Sequence, residues 1–275
     1  MNTSTVCAYL AVFALASCGG ASEESILRSQ REYDLAVGLY GEQDTAGAFE
    51  HLLEAIELDP DNADAHLLLG NLFMINRQDY QQAEHHMREA IRANEAVEAR
   101  TGLPSEARNA LGVLYNNAQR YEEAAVILEE ASADLMNRHQ PLTWANLAWA
   151  YRELGRLDEA LQIGRQAVQR DPNHCIALFR LSEVHVALDQ QEQAQQRLDH
   201  LLGLEDATCQ RIQAGWRLRG EVRAHLGDRP GAIADLERCV ELSAETDDGQ
   251  ACQRLLQGQG AAENEAPDPA PEATP

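Results

Sequence analysis

Along this 275-residue chain, small and large apolar residues recur in a frame of about 34 residues, and that periodicity limits the fold before any single segment is read. Its cleanest copy runs Trp144, Leu147, Ala148, Tyr151, Gly155, Leu157, Ala160, Gly164, Ala167, Pro172. Before it come Leu111, Gly112, Tyr115, Tyr121, Ala124, Leu128 and Ala131, and earlier Leu69, Gly70, Phe73, Tyr80, Ala83, Met87 and Ala90, with one extra residue in the turn. A weaker first copy has Leu35, Ala36, Leu39, Ala48, Leu52, Ala55 and Pro60. Leu181, Ser182, Ala194 and Leu198 follow the clean copy, and then Trp216, Gly220, Gly227, Ala232 and Leu236. Six units result, approximately 29–62, 63–97, 105–138, 141–174, 175–208 and 213–246. Each reads as helix A, turn, helix B. Small residues at the eighth and twentieth positions let the two helices approach, and the larger ones fill the space between them. A helix pair of this kind leaves an apolar face that only a neighbouring pair can cover, so the units must stack into one array.

The anchor spacing resembles the tetratricopeptide repeat. That resemblance implies an all-α fold, a right-handed superhelical solenoid of about six helix-turn-helix repeats closed by a C-terminal capping helix. The punctuation agrees with it: Asp59-Pro60-Asp61 and Asp171-Pro172-Asn173 should end B helices, since a residue before Pro leaves the helical region and Asp or Asn caps the next start. The break from Arg100 to Ser105 predicts a loop or a lengthened B helix. Residues 246–256 should form the cap, with Leu255 and Leu256 facing inward. The expected organisation is a signal peptide over 1–17, a tether over 18–28, the solenoid over 29–256, and a disordered acidic Pro/Ala-rich tail over 257–275, which holds no large apolar residue.

Val6 to Leu15 is an apolar run far short of the roughly 20 residues a membrane span needs. It reads as the core of a signal peptide. Leu15-Ala16-Ser17-Cys18 resembles the bacterial lipobox, which implies lipidation of Cys18 after cleavage before it. Gly19 stands where Asp would resemble an inner-membrane retention signal, so the expected location is the periplasmic face of the outer membrane. Several acyl chains, each CH₂ contributing about 0.8 kcal/mol when buried, make such an anchor effectively permanent. Cys175, Cys209, Cys239 and Cys252 then remain in an oxidising compartment, where an even count favours disulfides and four thiols allow three pairings. The sequential pairing is favoured by the repeat geometry. Cys175 and Cys209 each sit at the entrance to an A helix in consecutive repeats, and Cys239 lies on the last B helix, against which the cap carrying Cys252 should pack.

The chemistry available to the chain is narrow. There are 45 acidic and 22 basic residues, all 22 of them Arg, for a net charge of -23, which opposes nucleic-acid binding. Gly-rich phosphate loops, HExxH and GxSxG are absent from the sequence, and no cofactor, metal site or catalysis is expected. His85-His86 and the other histidines read as exposed helix surface, and the Glu pairs as solvated faces. Recognition remains. In a tetratricopeptide superhelix the A helices line the concave face. The candidate partner-binding residues there are Tyr33, Tyr40, Leu67, Asn71, Met74, Asn109, Val113, Asn116, Trp149 and Phe179, with Val37, Arg152, Glu183, Arg217 and Glu221 at related positions.

The lipobox, the short tether, the order of units, and the stretches Ser105 to Tyr115, Arg120 to Ala124 and Pro141 to Asp158, with Trp144 to Tyr151 inside the last, together resemble the type IV pilus biogenesis and stability lipoproteins, pilotins of the PilF/PilW kind. The resemblance implies a non-enzymatic, outer-membrane-anchored scaffold that promotes assembly of the pilus secretin, with a secretin subunit as partner. The same fold and anchor would also suit a periplasmic adaptor for cell-wall enzymes or for outer-membrane protein assembly.

Overall fold

A computed structural model describes residues 21–97, 104–134 and 137–264. Six antiparallel hairpins follow one another: α1 (Glu23–Gly41) with α2 (Thr45–Leu58), α3 (Ala63–Leu72) with α4 (Tyr80–Val97), and α5 (Pro104–Asn117) with α6 (Tyr121–Ala133). Next come α7 (Gln140–Glu153) with α8 (Leu157–Arg170), α9 (Cys175–Ala187) with α10 (Gln191–Gly203) and, after the single turn α11 (Ala207–Gln210), α12 (Gln213–His225) with α13 (Arg229–Leu242). The last helix, α14 (Asp247–Asn264), packs on α13 and α12. Each B helix also packs on the A helix that follows it, and consecutive A helices touch from α3 onward, so the described residues form the all-helical tetratricopeptide solenoid that the periodicity requires.

The small positions act as expected. Ala48, Ala83, Ala124, Ala160, Ala194 and Ala232, at the twentieth position of successive units, are fully buried. A Cβ on Gly220 would lie 2.9 Å from Leu236 Cγ, and one on Gly112 would overlap Leu128, so the A helix can touch the B helix only without a side chain there. Every A-to-B turn passes through one left-handed residue: Gln43, Gln78, Gln119, Gly155, Asp189 and Gly227, with φ between 51° and 84°. In the second unit the extra residue is absorbed by a π-helical turn, Phe73–Arg77, closed by Asp79 N–H donating to Phe73 O at 3.1 Å.

Three expectations change. The tether expected over 18–28 is already helical from Glu23. Ser22 Oγ caps the start by accepting from Ser25 N–H at 3.1 Å, Ser29 Oγ donates to Ala55 O at 2.7 Å, and Ser25 Oγ donates to Leu58 O, so polar contacts dock the early turns of α1 on the end of α2. Residues 257–264, expected in the tail, continue α14 to Asn264, and Leu255 and Leu256 pack beside Leu236, Cys239, Cys252 and Trp216. The lengthened B helix is seen as far as Val97. The histidines are not uniformly exposed either. His66, His86 and His185 are buried, and His66 Nδ1 lies 3.0 Å from His86 Nδ1, with the His86 ring stacked on Phe73. Burial, reinforced by His66 and His85, holds His86 down at about 4.

The signal segment, Cys18, residues 98–103 and the tail beyond Asn264 lie outside the described residues. Among the described residues no helix is long and apolar enough to cross a membrane.

Candidate functional site

The wall of A helices divides into two chemically different halves. On α1, helical spacing places Ile26, Tyr33, Val37 and Tyr40 in one stripe, at intervals of seven, four and three residues. Ile26, Val37 and Tyr40 remain 46%, 44% and 38% exposed, and Tyr33 is half-buried. Leu67, Asn71 and Met74 on the next A helix and its π-turn are also half-buried, and Ile75 beside them is exposed. Val113 on α5 is half-buried, and Asn117 Nδ2 approaches Met74 Sδ at 3.8 Å. Burial raises the Tyr33 hydroxyl above its ordinary value, and the charges of Asp64 on α3, Asp34 on α1 and Glu106 on α5 push it the same way. An apolar stripe with an acidic fringe results.

Further along, the wall is occupied by the protein's own side chains. Asn116 is 1% exposed and donates through Nδ2 to Asn146 O at 3.0 Å, so it bonds neighbouring A helices together and offers nothing to a partner. Asn109 is taken up by the same contact, accepting from Asn146 Nδ2 at 3.0 Å. Phe179, 7% exposed, belongs to the core with Leu178, Leu201 and Leu218. Trp149 is half-buried, and the Arg180 guanidinium covers its ring at 3.9 Å. Arg180 pairs in turn with Glu183 at 2.8 Å, and Glu183 with Arg152 at 3.1 Å. In the last unit Arg217 pairs with Glu221 and with Asp248 of the cap, each at 2.7 Å.

Asn109, Asn116 and Phe179 are thus packing residues, and Trp149 is covered. Tyr33, Tyr40, Leu67, Asn71, Met74 and Val113 are brought to one end of the wall. Sequence reasoning passed over Ile26 because it lay in the expected tether, and Ile75 because it lay in the turn. The heptad-like spacing of Ile26 with Tyr33 and Tyr40 was the available signal.

The cysteines lie at the other end. Cys175 is joined to Cys209 with a Cα–Cα distance of 5.2 Å, across consecutive repeats, and Cys239 to Cys252 with 6.3 Å, from α13 to the cap.

Comparison with known proteins agrees with this architecture. Models described as TPR repeat or tetratricopeptide repeat match residues 39–75, 75–135 and 151–214. No curated protein sequence matches the chain. Among solved structures, Pseudomonas aeruginosa PilF superposes with a TM-score of 0.65 at 19% identity, over 85% of this chain and 100% of that one. PilW, described as a widely conserved type IV pilus biogenesis factor, superposes with a TM-score of 0.66 at 16% identity, over 82% of this chain and 98% of its own. Yeast Tom70 gives 0.61 at 14% identity, over 88% of this chain and 49% of its own. At such identities the likeness is one of fold. Six stacked hairpins, repeat models along most of the array and superposition on PilF and PilW place this chain in the tetratricopeptide-repeat family, whose members are protein-interaction scaffolds.

Proposed function

We propose that the protein is a lipid-anchored docking scaffold of the outer membrane, and that the N-terminal end of its inner wall holds a segment of a type IV pilus secretin subunit during assembly. The observation that carries the docking is the stripe Ile26, Val37 and Tyr40, open among the described residues with half-buried Tyr33 within it, in a molecule whose later inner wall is closed by its own ion pairs. Exposed aromatic side chains on a rigid surface are the usual energetic anchors of an interface. Their acidic fringe suits an amphipathic helix or extended segment with basic flanks. The pilus assignment is supported by the PilF and PilW likeness and by the lipobox ending at Cys18, only a few residues before Glu23 begins α1. Two disulfides suit an oxidising compartment.

Deleting the gene should abolish heat-resistant secretin multimers, and the wild-type chain should restore them. The doubly substituted Tyr33→Ala/Tyr40→Ala chain should stay folded and fail to restore them. Normal multimers with altered cell shape would overturn the secretin reading in favour of an adaptor for cell-wall enzymes. Cys18→Ala should release the protein from the outer membrane, which tests the anchor separately.

A further inference from the structure

The clefts between successive B helices repeat with the chain's own period, so one serves as a control for the next. Between α6 and α8 a cavity of about 310 Å³ is lined by Glu129, Tyr151, Glu159 and Ile163, among others. Here the protein satisfies itself. Tyr151 Oη donates to Glu129 at 2.7 Å, while Arg156 lies 4.0 Å over the Tyr151 ring and donates through Nε to Glu159 at 2.9 Å.

One repeat along, between α8 and α10, a cavity of about 310 Å³ is built from the same repeat positions with the charge reversed. Arg165 stands where Glu129 stands, His185 where Tyr151 stands, Gln193 where Glu159 stands and Arg197 where Ile163 stands. Gln169 and Leu181 are also in its lining, and no carboxylate is. Among the described residues neither Arg165 nor Arg197 has a carboxylate in ion-pair range, and the Arg197 Nε is buried with no hydrogen-bond partner. Arg165 is exposed and Arg197 half-buried, and both guanidiniums line a cleft whose lining holds no carboxylate. His185 Nδ1 lies 2.8 Å from Gln190 Oε1, so the neutral ring carries its proton there and its Nε2 is bare. Burial lowers the His185 value from its ordinary one; the Gln190 bond opposes this, and Arg165 and Arg197 add to it.

We propose that this cleft is an oxyanion site that takes a phosphate group, free or esterified. Guanidinium is the side chain suited to bidentate contact with phosphate. Arg165 and Gln169 from α8, Gln193 and Arg197 from α10 and a protonated His185 from α9 offer more donors than the two oxygens of a carboxylate can accept. A bound dianion would also favour the imidazolium, so binding takes up a proton at His185 Nε2 and strengthens as pH falls. This site lies on the B-helix side and is independent of docking on the inner wall.

The test is calorimetric titration of the folded chain with inorganic phosphate, glycerol 3-phosphate and acetate. Saturable one-site binding of either phosphate, tighter than acetate, is expected. Arg197→Gln, and Arg165→Glu, which restores the carboxylate of the preceding repeat, should each weaken it at least about tenfold, or about 1.4 kcal/mol. Arg170→Gln, an exposed change on α8 outside the cleft, should leave it unchanged. Sulfate, whose charge is constant from about pH 5 to about pH 8, should bind more tightly at the lower pH and shift the His185 ring resonances. No saturable binding of either phosphate, acetate binding as tight as phosphate, indifference to Arg165→Glu, or an equal loss with Arg170→Gln would each overturn the proposal.

Discussion

Units one and two leave Ile26, Val37, Tyr40 and Ile75 in contact with solvent, carry no disulfide among the described residues, and turn through Gln43 and Gln78 in the left-handed region. The last units are joined by two disulfides, close their inner wall with Arg152, Arg180, Arg217 and their acidic partners, and turn at Gly155 and Gly227 without steric cost, with Asp189 between them the one left-handed non-glycine turn there. Stability and recognition are thereby separated along one chain. Surface kept free for a partner cannot also be spent on internal pairing, so the end that docks is held by the end that does not.

Among single substitutions, the largest expected effect on this contrast comes from Asp235. It is buried on α13 and receives Arg219 at 2.7 Å and Arg223 at 2.9 Å. Asp235→Ala leaves two half-buried guanidiniums short of a partner, with a cost of about 3 to 5 kcal/mol in chemical denaturation. Hydrogen exchange should localise the loss to α12–α14 and leave α1–α4 protected.

Reducing both disulfides acts on the same end. By loop closure alone, opening the 34-residue separation costs about 4 kcal/mol and the 13-residue separation about 3 kcal/mol. Reductant should therefore lower the melting temperature while leaving partner affinity at the α1 stripe unchanged.

Acid should act on both ends, through half-buried His174 just before α9, buried His185 on α9 and buried His86 in the second unit. His86 is neutral in the folded state, with its value pushed down to about 4, whereas in the unfolded chain it titrates near 6.5. Below 6.5 the unfolded chain therefore binds the extra proton, and stability falls with decreasing pH down to about 4. The loss reaches about 2 kcal/mol at about pH 5 for this group alone. His86→Leu should flatten that slope. Glu84 acts in a lower window. Burial opposes its ionisation, but hydrogen bonds from Arg120, Tyr115 and Arg88 prevail and hold it at about 2, so its contribution is lost only as pH falls from about 4.5 toward 2.

The smallest effect concerns the turns. Gln119→Gly removes left-handed strain and should gain roughly 0.5 to 1 kcal/mol, whereas Gly227→Ala, where a Cβ meets open space but φ is 84°, should lose about 1 kcal/mol.

The hairpins were legible because packing fixes their spacing: a small residue at position 112 or 220 has no substitute when Leu128 or Leu236 sits against it. The start of the first helix was not. Ser25 and Ser29 are weak helix formers in isolation, and the carbonyls of Leu58 and Ala55 on the next helix make them favourable, while Ser22 caps the start. The candidate wall was half legible. A-helix positions can be counted, but whether Asn116 faces a groove or the carbonyl of Asn146 depends on how closely two helices approach, and whether Trp149 is free depends on Arg180 arriving from the following unit. His86 misled for the same reason, since its partner His66 lies 20 residues away on the facing helix.

The arginine stacks over Phe49, Tyr115, Trp149 and Tyr151 have one more effect. Because every cationic side chain other than histidine is a guanidinium, none loses its proton under alkaline conditions, and amine-directed reagents find no ε-amino group anywhere in the sequence. The positive pattern on this molecule is permanent, and its nine imidazoles are the only side-chain cations that a change in acidity can switch.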